Sequence, residues 1–250
     1  MQPKEDREFW NEGWKADIAK GPGHPDADTW GNERDERIMT FLRPYLPNNG
    51  GVVAEIGCGS GRVLCRIGRE RPVKLVAMDY APAALDLVQA TAKIFNVEVE
   101  SQLADAYATG LPDRSFDFIL SGGLMEHFDD PERILAEMVR LLKPGGAVFA
   151  VVVPRKWFSL HRPLHRWLGP QVYRTKHGPE QYVKWLEELG CVDIKADAKG
   201  VYPPLFHNLP TAPRRAIERV FRPLDGTWLA NRLGYFFLFA GRRPSPSSPR

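Results

Sequence analysis

Cysteine is scarce in this sequence, and no long hydrophobic run is present. The 250 residues contain three cysteines, Cys58, Cys65 and Cys191, which are too few and too scattered for a disulfide framework and fit no zinc-site spacing. No apolar run approaches the roughly 18 residues that a membrane span requires. The first residues, Met1–Arg7, are charged and lack an apolar region, so we expect no secretory signal. Together these absences predict a cytoplasmic protein without a metal site.

A strong charge of either sign is also missing. The formal net charge is +3, which is too small to indicate a nucleic-acid partner, and we expect none. Hydrophobic residues make up 43% and charged residues 26%, which is ordinary for a globular protein and excludes general disorder. Low complexity is confined to residues 242–250 (RRPSPSSPR), which we expect to form a disordered tail.

What the sequence does contain is a regular alternation of strand-length apolar runs and helical segments. Continuous Val, Ile, Leu and Phe runs between helices are typical of a parallel sheet that is buried on both faces. The pattern predicts an α/β fold, Rossmann-like and doubly wound, with a mostly parallel seven-stranded sheet. The predicted strands are Val52–Ile56, Val73–Met78, Val97–Leu103, Phe116–Leu120, Ala147–Val153, Val192–Ala196 and Tyr235–Ala240.

The predicted helices divide the chain around this sheet. Residues 1–50 are expected to form an N-terminal helical cap, residues 51–241 the main domain, and residues 155–177 and 199–233 two insertions on the substrate side. Apolar spacing and proline positions set the helix limits. The predicted helices are Glu33–Leu46, Arg62–Arg69, Pro82–Ile94, Pro131–Leu142 and Glu180–Leu189.

The most informative motif is the glycine-rich sequence Glu55-Ile56-Gly57-Cys58-Gly59-Ser60-Gly61, at the end of the first strand. Glycines there allow a tight turn and a close approach of the backbone to a ligand. A dinucleotide-binding fingerprint would require Gly or Ala where Arg62 stands, and the Gly-Lys-Ser/Thr ending of a phosphate-binding loop is missing.

Acidic residues follow the next two predicted strands. Asp79 ends the second strand, 20 residues after Gly59, where a carboxylate can accept hydrogen bonds from both hydroxyls of a ribose. Asp105 follows the third strand and can accept from an adenine amino group. Together with Glu55, these acids suit a nucleoside that carries no phosphate.

With these features, the sequence resembles the class I S-adenosylmethionine-dependent methyltransferases, particularly the small-molecule enzymes similar to those of ubiquinone and menaquinone biosynthesis. Further shared motifs are Leu111-Pro112, Ser115-Phe116-Asp117, Glu126-His127-Phe128 and Leu141–Gly146, and the resemblance is close over residues 51–153. It implies S-adenosylmethionine as cofactor and S-adenosylhomocysteine as product. The cofactor-binding residues that it implies are Glu55, Gly57, Gly59, Asp79, Tyr80, Asp105, Ala106 and Ser121.

His127 is the candidate catalytic residue. It follows the fourth predicted strand, at the rim where the reacting methyl group would lie, and an imidazole titrates near neutral pH. A base is useful if the acceptor is a hydroxyl or an ammonium group. The alternative is that His127 only packs against, or caps, the next helix.

The insertion at residues 155–177 combines positive charge with aromatic residues. It contains six Lys or Arg, three His and no acid. We expect it to be a lid over an anionic or aromatic acceptor, with Trp157, Tyr173 and His177 as substrate-side candidates. An interfacial anchor making peripheral membrane contact and a plain scaffold are the alternatives.

The predicted function is therefore methyl transfer from S-adenosylmethionine to a small-molecule acceptor. An RNA or protein methyltransferase and a non-catalytic cofactor-binding module are the alternatives. The acceptor atom, whether oxygen, nitrogen or carbon, and the oligomeric state stay open at this stage.

Overall fold

A computed structural model describes residues 6–27, 29–154, 173–199, 211–234 and 236–245. Within them, helices flank a single seven-stranded sheet. In chain order the elements are α1 (Arg7–Lys20), α2 (Trp30–Leu42), β1 (Val52–Ile56), α3 (Arg62–Glu70), β2 (Lys74–Asp79), α4 (Pro82–Phe95), β3 (Glu100–Leu103), β4 (Phe116–Gly122), α5 (Pro131–Leu141), β5 (Leu142–Val152), α6 (Pro179–Glu188), β6 (Val192–Lys199), α7 (Thr211–Phe221), α8 (Trp228–Leu233) and β7 (Phe236–Arg242).

The sheet has the strand order β3-β2-β1-β4-β5-β7-β6. The first five strands of this order pair in parallel, whereas β7 runs antiparallel to both of its neighbours, β5 and β6. The order reverses between β1 and β4, which is where open α/β sheets bind their ligands. The predicted Rossmann-like, mostly parallel seven-stranded sheet is thus confirmed.

Both faces of the sheet are buried, as the continuous apolar strands require. Val53 and Phe118 belong to the core on one face, together with Leu64 of α3. The next residue of each strand, Ala54 and Ile119, belongs to the core on the opposite face, which α5 and α6 cover. All five residues are fully buried, so each strand contributes alternately to two cores.

The N-terminal cap contains two helices. Asp6 caps α1 by accepting the N–H of Phe9 at 2.9 Å, and Thr29 caps α2 by accepting the N–H of Asn32. The predicted helix Glu33–Leu46 therefore begins earlier than expected, at Trp30. It also ends earlier, at Leu42, and the chain continues as a short 3₁₀ turn over Arg43–Tyr45 that includes a proline.

Arg62, which stands where a dinucleotide fingerprint would have a small residue, connects the cap to the sheet. Its Nε donates to the fully buried carboxylate of Asp35 at 3.0 Å, and its Nη1 donates to the carbonyls of Pro22 and Gly23 at 2.7 and 3.1 Å. Arg62 opens α3 directly after the glycine loop. The cap is therefore fixed to the same turn that forms the predicted cofactor site.

Two boundaries near the end of the main domain differ from the predictions. Strand β5 begins at Leu142 rather than Ala147, because Leu142 already pairs with Phe116 of β4. Strand β7 extends to Arg242, and Arg243 continues the pairing by donating its N–H to Gly146 and accepting that of Gly145. Arg242 and Arg243, which the prediction assigned to a disordered tail, are thus paired with β5; residues 246–250 lie outside the described part.

The two predicted insertions are described only in part. Residues 155–172, including Trp157, and residues 200–210 lie outside the described residues. Of the first insertion, residues 173–178 form an irregular segment that leads into α6, and of the second, α7 and α8 are described. None of the described helices has the length and hydropathy needed to cross a membrane.

Candidate active site

The glycine loop makes a sharp turn between β1 and α3. Gly57, Gly59 and Gly61 have φ of 66°, 46° and 61°, which is the left-handed region that side chains disfavour. A Cβ on Gly57 would lie 2.7 Å from Leu124 Cδ1, and one on Gly59 would lie 2.8 Å from Trp14 Cη2. The glycines are therefore required both by the backbone conformation and by close neighbours.

A cavity of about 350 Å³ opens beside this loop, where β1, β2 and β4 end. It lies at the point where the strand order reverses, as expected for a doubly wound sheet. The strand ends, α1, α2 and the apolar ends of β5 and β7 all contribute to its wall. The lining residues are Trp10, Trp14, Arg34, Ile38, Glu55, Gly57, Cys58, Gly59, Ser60, Gly61, Arg62, Val63, Asp79, Tyr80, Gly122, Gly123, Leu124, His127, Phe128, Val151, Val153 and Phe236.

Two buried carboxylates face this cavity. Burial raises the pKa of Glu55 well above its ordinary value, and the nearby charge of Asp79 adds to the effect. Glu55 Oε2 has no hydrogen-bond partner among the described residues. Burial also raises the pKa of Asp79, whose oxygens accept the N–H groups of Gly59 at 3.1 Å and Ala81 at 3.0 Å. These carboxylates can hold hydrogen-bond donors of a ligand.

His127 lines the cavity from a short 3₁₀ turn, Met125–His127, that follows β4. His127 is 7% exposed, and its Nδ1 lies 2.8 Å from the carbonyl oxygen of Tyr173. Because a carbonyl oxygen only accepts, Nδ1 carries the proton in this contact. In the neutral ring Nε2 is then the basic nitrogen, which is the requirement for a general base.

Helix α1 closes the cavity on one side with two tryptophans. The Trp10 ring packs edge-to-face on His127, with centroids 4.8 Å apart, and it stacks with Trp14 at 6.1 Å. Trp14 in turn lies directly over Gly59. These two residues were not predicted as site residues. Their spacing of four residues, which places both on one face of a helix, is a signal in the sequence that could have indicated them.

Three of the predicted cofactor-binding residues do not line this cavity. Asp105 is exposed, and its side chain accepts the N–H of Tyr107 at 2.9 Å. Ala106 lies beside it in the same loop. Ser121 is buried, and the residues that follow it in β4 and the next turn, Gly122 and Gly123, form the cavity wall instead. The structure thus brings together Glu55, Gly57, Gly59, Asp79, Tyr80 and His127.

The two described substrate-side candidates, Tyr173 and His177, do not line the cavity either. Tyr173 contacts His127 through its carbonyl, but its side chain donates a hydrogen bond to Asp129 and does not line the cavity. His177 packs edge-to-face on Trp185 of α6, with centroids 5.1 Å apart, and is also absent from the lining. Trp157 lies outside the described residues.

Glu126, beside His127, is buried and hydrogen-bonded to two distant segments of the chain, which its sequence position does not suggest. It is buried, its Oε1 accepts the N–H of Val153 at 3.2 Å, and its carbonyl accepts the N–H of Thr175 at 2.7 Å. Burial raises the pKa of Glu126 to about 7. Nothing in the local sequence distinguishes this acid from an exposed one, because its burial arises from segments distant along the chain.

Comparison with known proteins identifies this architecture. Residues 54–150 match a family model described as a methyltransferase domain. A ubiquinone biosynthesis O-methyltransferase of Pseudomonas fluorescens (strain Pf0-1) is 31% identical over 176 residues, which cover 66% of this chain and 69% of that protein. The chain belongs to the S-adenosylmethionine-dependent methyltransferases.

Further similarities extend beyond the central domain. A ubiquinone biosynthesis O-methyltransferase of Rhizobium etli (strain CIAT 652) is 25% identical over 225 residues, covering 85% of this chain and 82% of that protein. A Haemonchus contortus phosphoethanolamine N-methyltransferase 2, solved with S-adenosyl-L-methionine, shares the fold with a TM-score of 0.66 and 19% identity, over 95% of this chain and 58% of the other. This methyltransferase uses S-adenosylmethionine, and the comparisons favour neither of the alternative functions.

The residues around the cavity fit this cofactor. The buried, unpartnered Glu55 Oε2 is an acceptor suited to an ammonium or hydroxyl group. A carboxylate has about four acceptor positions, and the backbone contacts of Asp79 with Gly59, Tyr80 and Ala81 leave capacity for a ribose hydroxyl. Gly57 and Gly59, both at positive φ, contribute to the cavity wall without side chains.

Proposed function

We propose that this methyltransferase modifies a hydroxyl oxygen of a small aromatic molecule, with His127 as the general base. The observation that carries the proposal is the contact between His127 Nδ1 and the Tyr173 carbonyl, since it leaves Nε2 as the basic nitrogen of a cavity-lining ring. A base of this kind is useful for an acceptor that must lose a proton during transfer.

The acceptor class follows from the apolar part of the cavity lining. Ile38, Val151, Val153 and Phe236 line the same cavity as His127, and this apolar surface favours an aromatic or otherwise apolar acceptor. The relatives named as ubiquinone biosynthesis O-methyltransferases support both a small-molecule acceptor and oxygen as the acceptor atom.

All three cysteines are free thiols, which supports the cytoplasm as the working compartment.

For the cofactor side, we assign Glu55, Asp79 and Tyr80 as polar contacts and Gly57 and Gly59 as the backbone cradle. S-adenosylmethionine supplies a methyl group whose bond to a positively charged sulfur makes it electrophilic. Asp79 accepts hydrogen bonds from the ribose, and Glu55 accepts from a donor on the same ligand. The cradle fixes the position of the ligand, and this ordering lowers the barrier to transfer.

The remaining chemistry is carried out by the residues on the acceptor side. His127 takes the hydroxyl proton at Nε2 while the acceptor oxygen acquires its methyl group. The imidazolium that results keeps its Nδ1–H bond to the Tyr173 carbonyl, which is now charge-assisted and therefore stronger. Trp10 and the apolar wall exclude water from the site, so the acceptor competes with little solvent.

The test is an acceptor screen with matched ring compounds. The purified protein is incubated with S-adenosylmethionine that carries a heavy-carbon methyl group and with a catechol, a phenol or an aniline on the same ring. We expect methylation of the catechol or phenol, detected by mass and identified as a methoxy group by NMR of the labelled carbon. Methylation of the aniline nitrogen in preference to the oxygens would contradict the proposal.

A further inference from the structure

The chain on both sides of residues 155–172 is attached to the turn that carries His127. On the preceding side, the N–H of Val153 donates to the Glu126 carboxylate. On the following side, the N–H of Thr175 donates to the Glu126 carbonyl. The position of His127 is therefore linked to a segment that lies more than forty residues further along the chain.

Tyr173 contacts the stretch of chain that carries His127 in two ways. Its carbonyl oxygen accepts from His127 Nδ1 at 2.8 Å. Its phenolic hydroxyl donates to the carboxylate of Asp129, two residues beyond His127. Tyr173 is thus held to the same short stretch of chain by its backbone and by its side chain.

These contacts have a chemical consequence for the ring. A single hydrogen bond from Nδ1 to a carbonyl fixes which nitrogen carries the proton, and the same bond orients the ring plane. The segment of residues 173–178 is irregular and receives no support from helix or sheet pairing. The Tyr173 phenol bound to Asp129 and the Thr175 N–H bound to the Glu126 carbonyl both hold this segment against the turn that carries His127.

We propose that Tyr173 is a positioning residue: its phenol, anchored on Asp129, holds its carbonyl against Nδ1 of His127 and so keeps Nε2 as the basic nitrogen. The effect of Tyr173 on turnover rests on the proposed role of His127 as the base. The effect of Tyr173 on the His127 tautomer is independent of that role. Tyr173 acts through His127, so its side chain needs no contact with the acceptor.

The experiment measures the imidazole directly, in protein labelled with heavy nitrogen and without cofactor or acceptor. NMR of the ring nitrogens at about pH 8, where an ordinary imidazole is neutral, distinguishes the two tautomers. The resonances are assigned with a His127→Ala variant. We expect the wild-type ring to be protonated at Nδ1, and Tyr173→Phe to shift it to a mixture of both tautomers.

Two further variants sharpen the result. Asp129→Asn keeps an oxygen that accepts the phenol proton and is expected to preserve the wild-type tautomer, whereas Asp129→Ala is expected to resemble Tyr173→Phe. Tyr45→Phe is the matched control, because Tyr45 donates a comparable phenolic hydrogen bond to the Asp193 carbonyl at 3.0 Å and does not line the cavity. It should leave the His127 resonances unchanged.

Turnover provides a second readout. With the best acceptor from the screen above, Tyr173→Phe is expected to lower kcat roughly 2- to 10-fold, in proportion to the lost tautomer population, with little change in KM. An unchanged His127 tautomer in Tyr173→Phe would overturn the inference. If the tautomer changes but the screen finds no oxygen methylation, the inference holds and the proposed function fails.

Discussion

The cavity has two kinds of wall, which differ in how deeply the chain buries them. The strand-end wall is formed by the ends of β1, β2 and β4, where Glu55, Asp79 and His127 are less than one-tenth exposed. The α1 wall is formed by a helix that has no buried residue along its entire length. Both walls contribute to the same cavity, yet only the first is part of the core.

The two walls are therefore held in place by different interactions. The strand-end wall is fixed by sheet pairing and by the two cores, and it cannot move without disrupting them. Helix α1 is attached instead by the Trp10 and Trp14 rings and by polar contacts such as Arg7 Nε donating to the Tyr80 carbonyl at 2.6 Å. We therefore expect changes in the strand-end wall to have large effects, and changes in α1 to have small and local ones.

The largest effect is expected at His127. His127→Ala removes the proposed base and should lower turnover roughly 10²- to 10⁴-fold, while cofactor affinity remains nearly unchanged. Initial rates and calorimetric titration of the cofactor measure the two quantities. The control is His24→Ala, because His24 is an exposed histidine that does not line the cavity. Wild-type turnover in His127→Ala would reduce this residue to a packing role.

The next effect concerns stability and arises from Glu126. Its pKa is raised from 4.5 to about 7 by burial, so between these values the folded protein keeps a proton that the unfolded chain has lost. Folding stability therefore falls as pH rises from about 4.5 to about 7. Above about pH 7 the destabilisation caused by the buried, ionised Glu126 is complete. A pKa difference of this size corresponds to about 3 kcal/mol in the free energy of unfolding.

Glu126→Gln tests this expectation. The amide is neutral at every pH and keeps an oxygen that can accept the Val153 N–H. The variant should gain up to about 3 kcal/mol over the wild type at about pH 8 and much less at about pH 5, measured by denaturant unfolding. Glu98→Gln, at an exposed position, is the control. An equal difference at both pH values would show that ionisation of Glu126 is not the cause.

The contrast between the walls also explains what the sequence could predict. Apolar runs specify the strands, and the glycine loop with Glu55 and Asp79 specifies the strand-end wall, because local geometry and chemistry require those residue types. The four-residue spacing of Trp10 and Trp14 places both on one face of α1, but where that face docks depends on contacts with segments distant along the chain. Asp105 is predicted from its position after a strand, and its contact with an adenine amino group stays a prediction; in the structure its Oδ1 accepts the N–H of Tyr107.

Asp79→Ala is expected to have the third largest effect. Removing the buried carboxylate that we propose as the acceptor of the ribose hydrogen bonds should cost about 1.5–3 kcal/mol of cofactor binding. Calorimetry with S-adenosylhomocysteine measures this cost, and circular dichroism verifies the fold, since Asp79 also accepts the Gly59 N–H. Asp86→Ala, at an exposed position on α4, is the control. Unchanged affinity in a folded Asp79→Ala protein would remove Asp79 from the cofactor site.

The smallest effect is expected in α1, and it decides whether the two walls are independent. Asn11 Oδ1 accepts the N–H of Ala83 at 2.9 Å, in the first turn of α4, where helical N–H groups lack partners within the helix. Asn11→Ala should weaken this docking by about 0.5–1.5 kcal/mol, which corresponds to a roughly 2- to 10-fold faster local opening.

Hydrogen exchange resolved by segment tests this expectation. Residues 7–20 should exchange faster in Asn11→Ala, whereas exchange in β1 and β4 and the midpoint of global unfolding should stay as in the wild type. Glu12→Ala is the control, because the Glu12–Lys15 ion pair is exposed and contributes little to docking. If Asn11→Ala instead accelerates exchange in the strands as much as in α1, the helix unfolds together with the core. The α1 wall would then be as integral to the fold as the strand ends, despite its exposure.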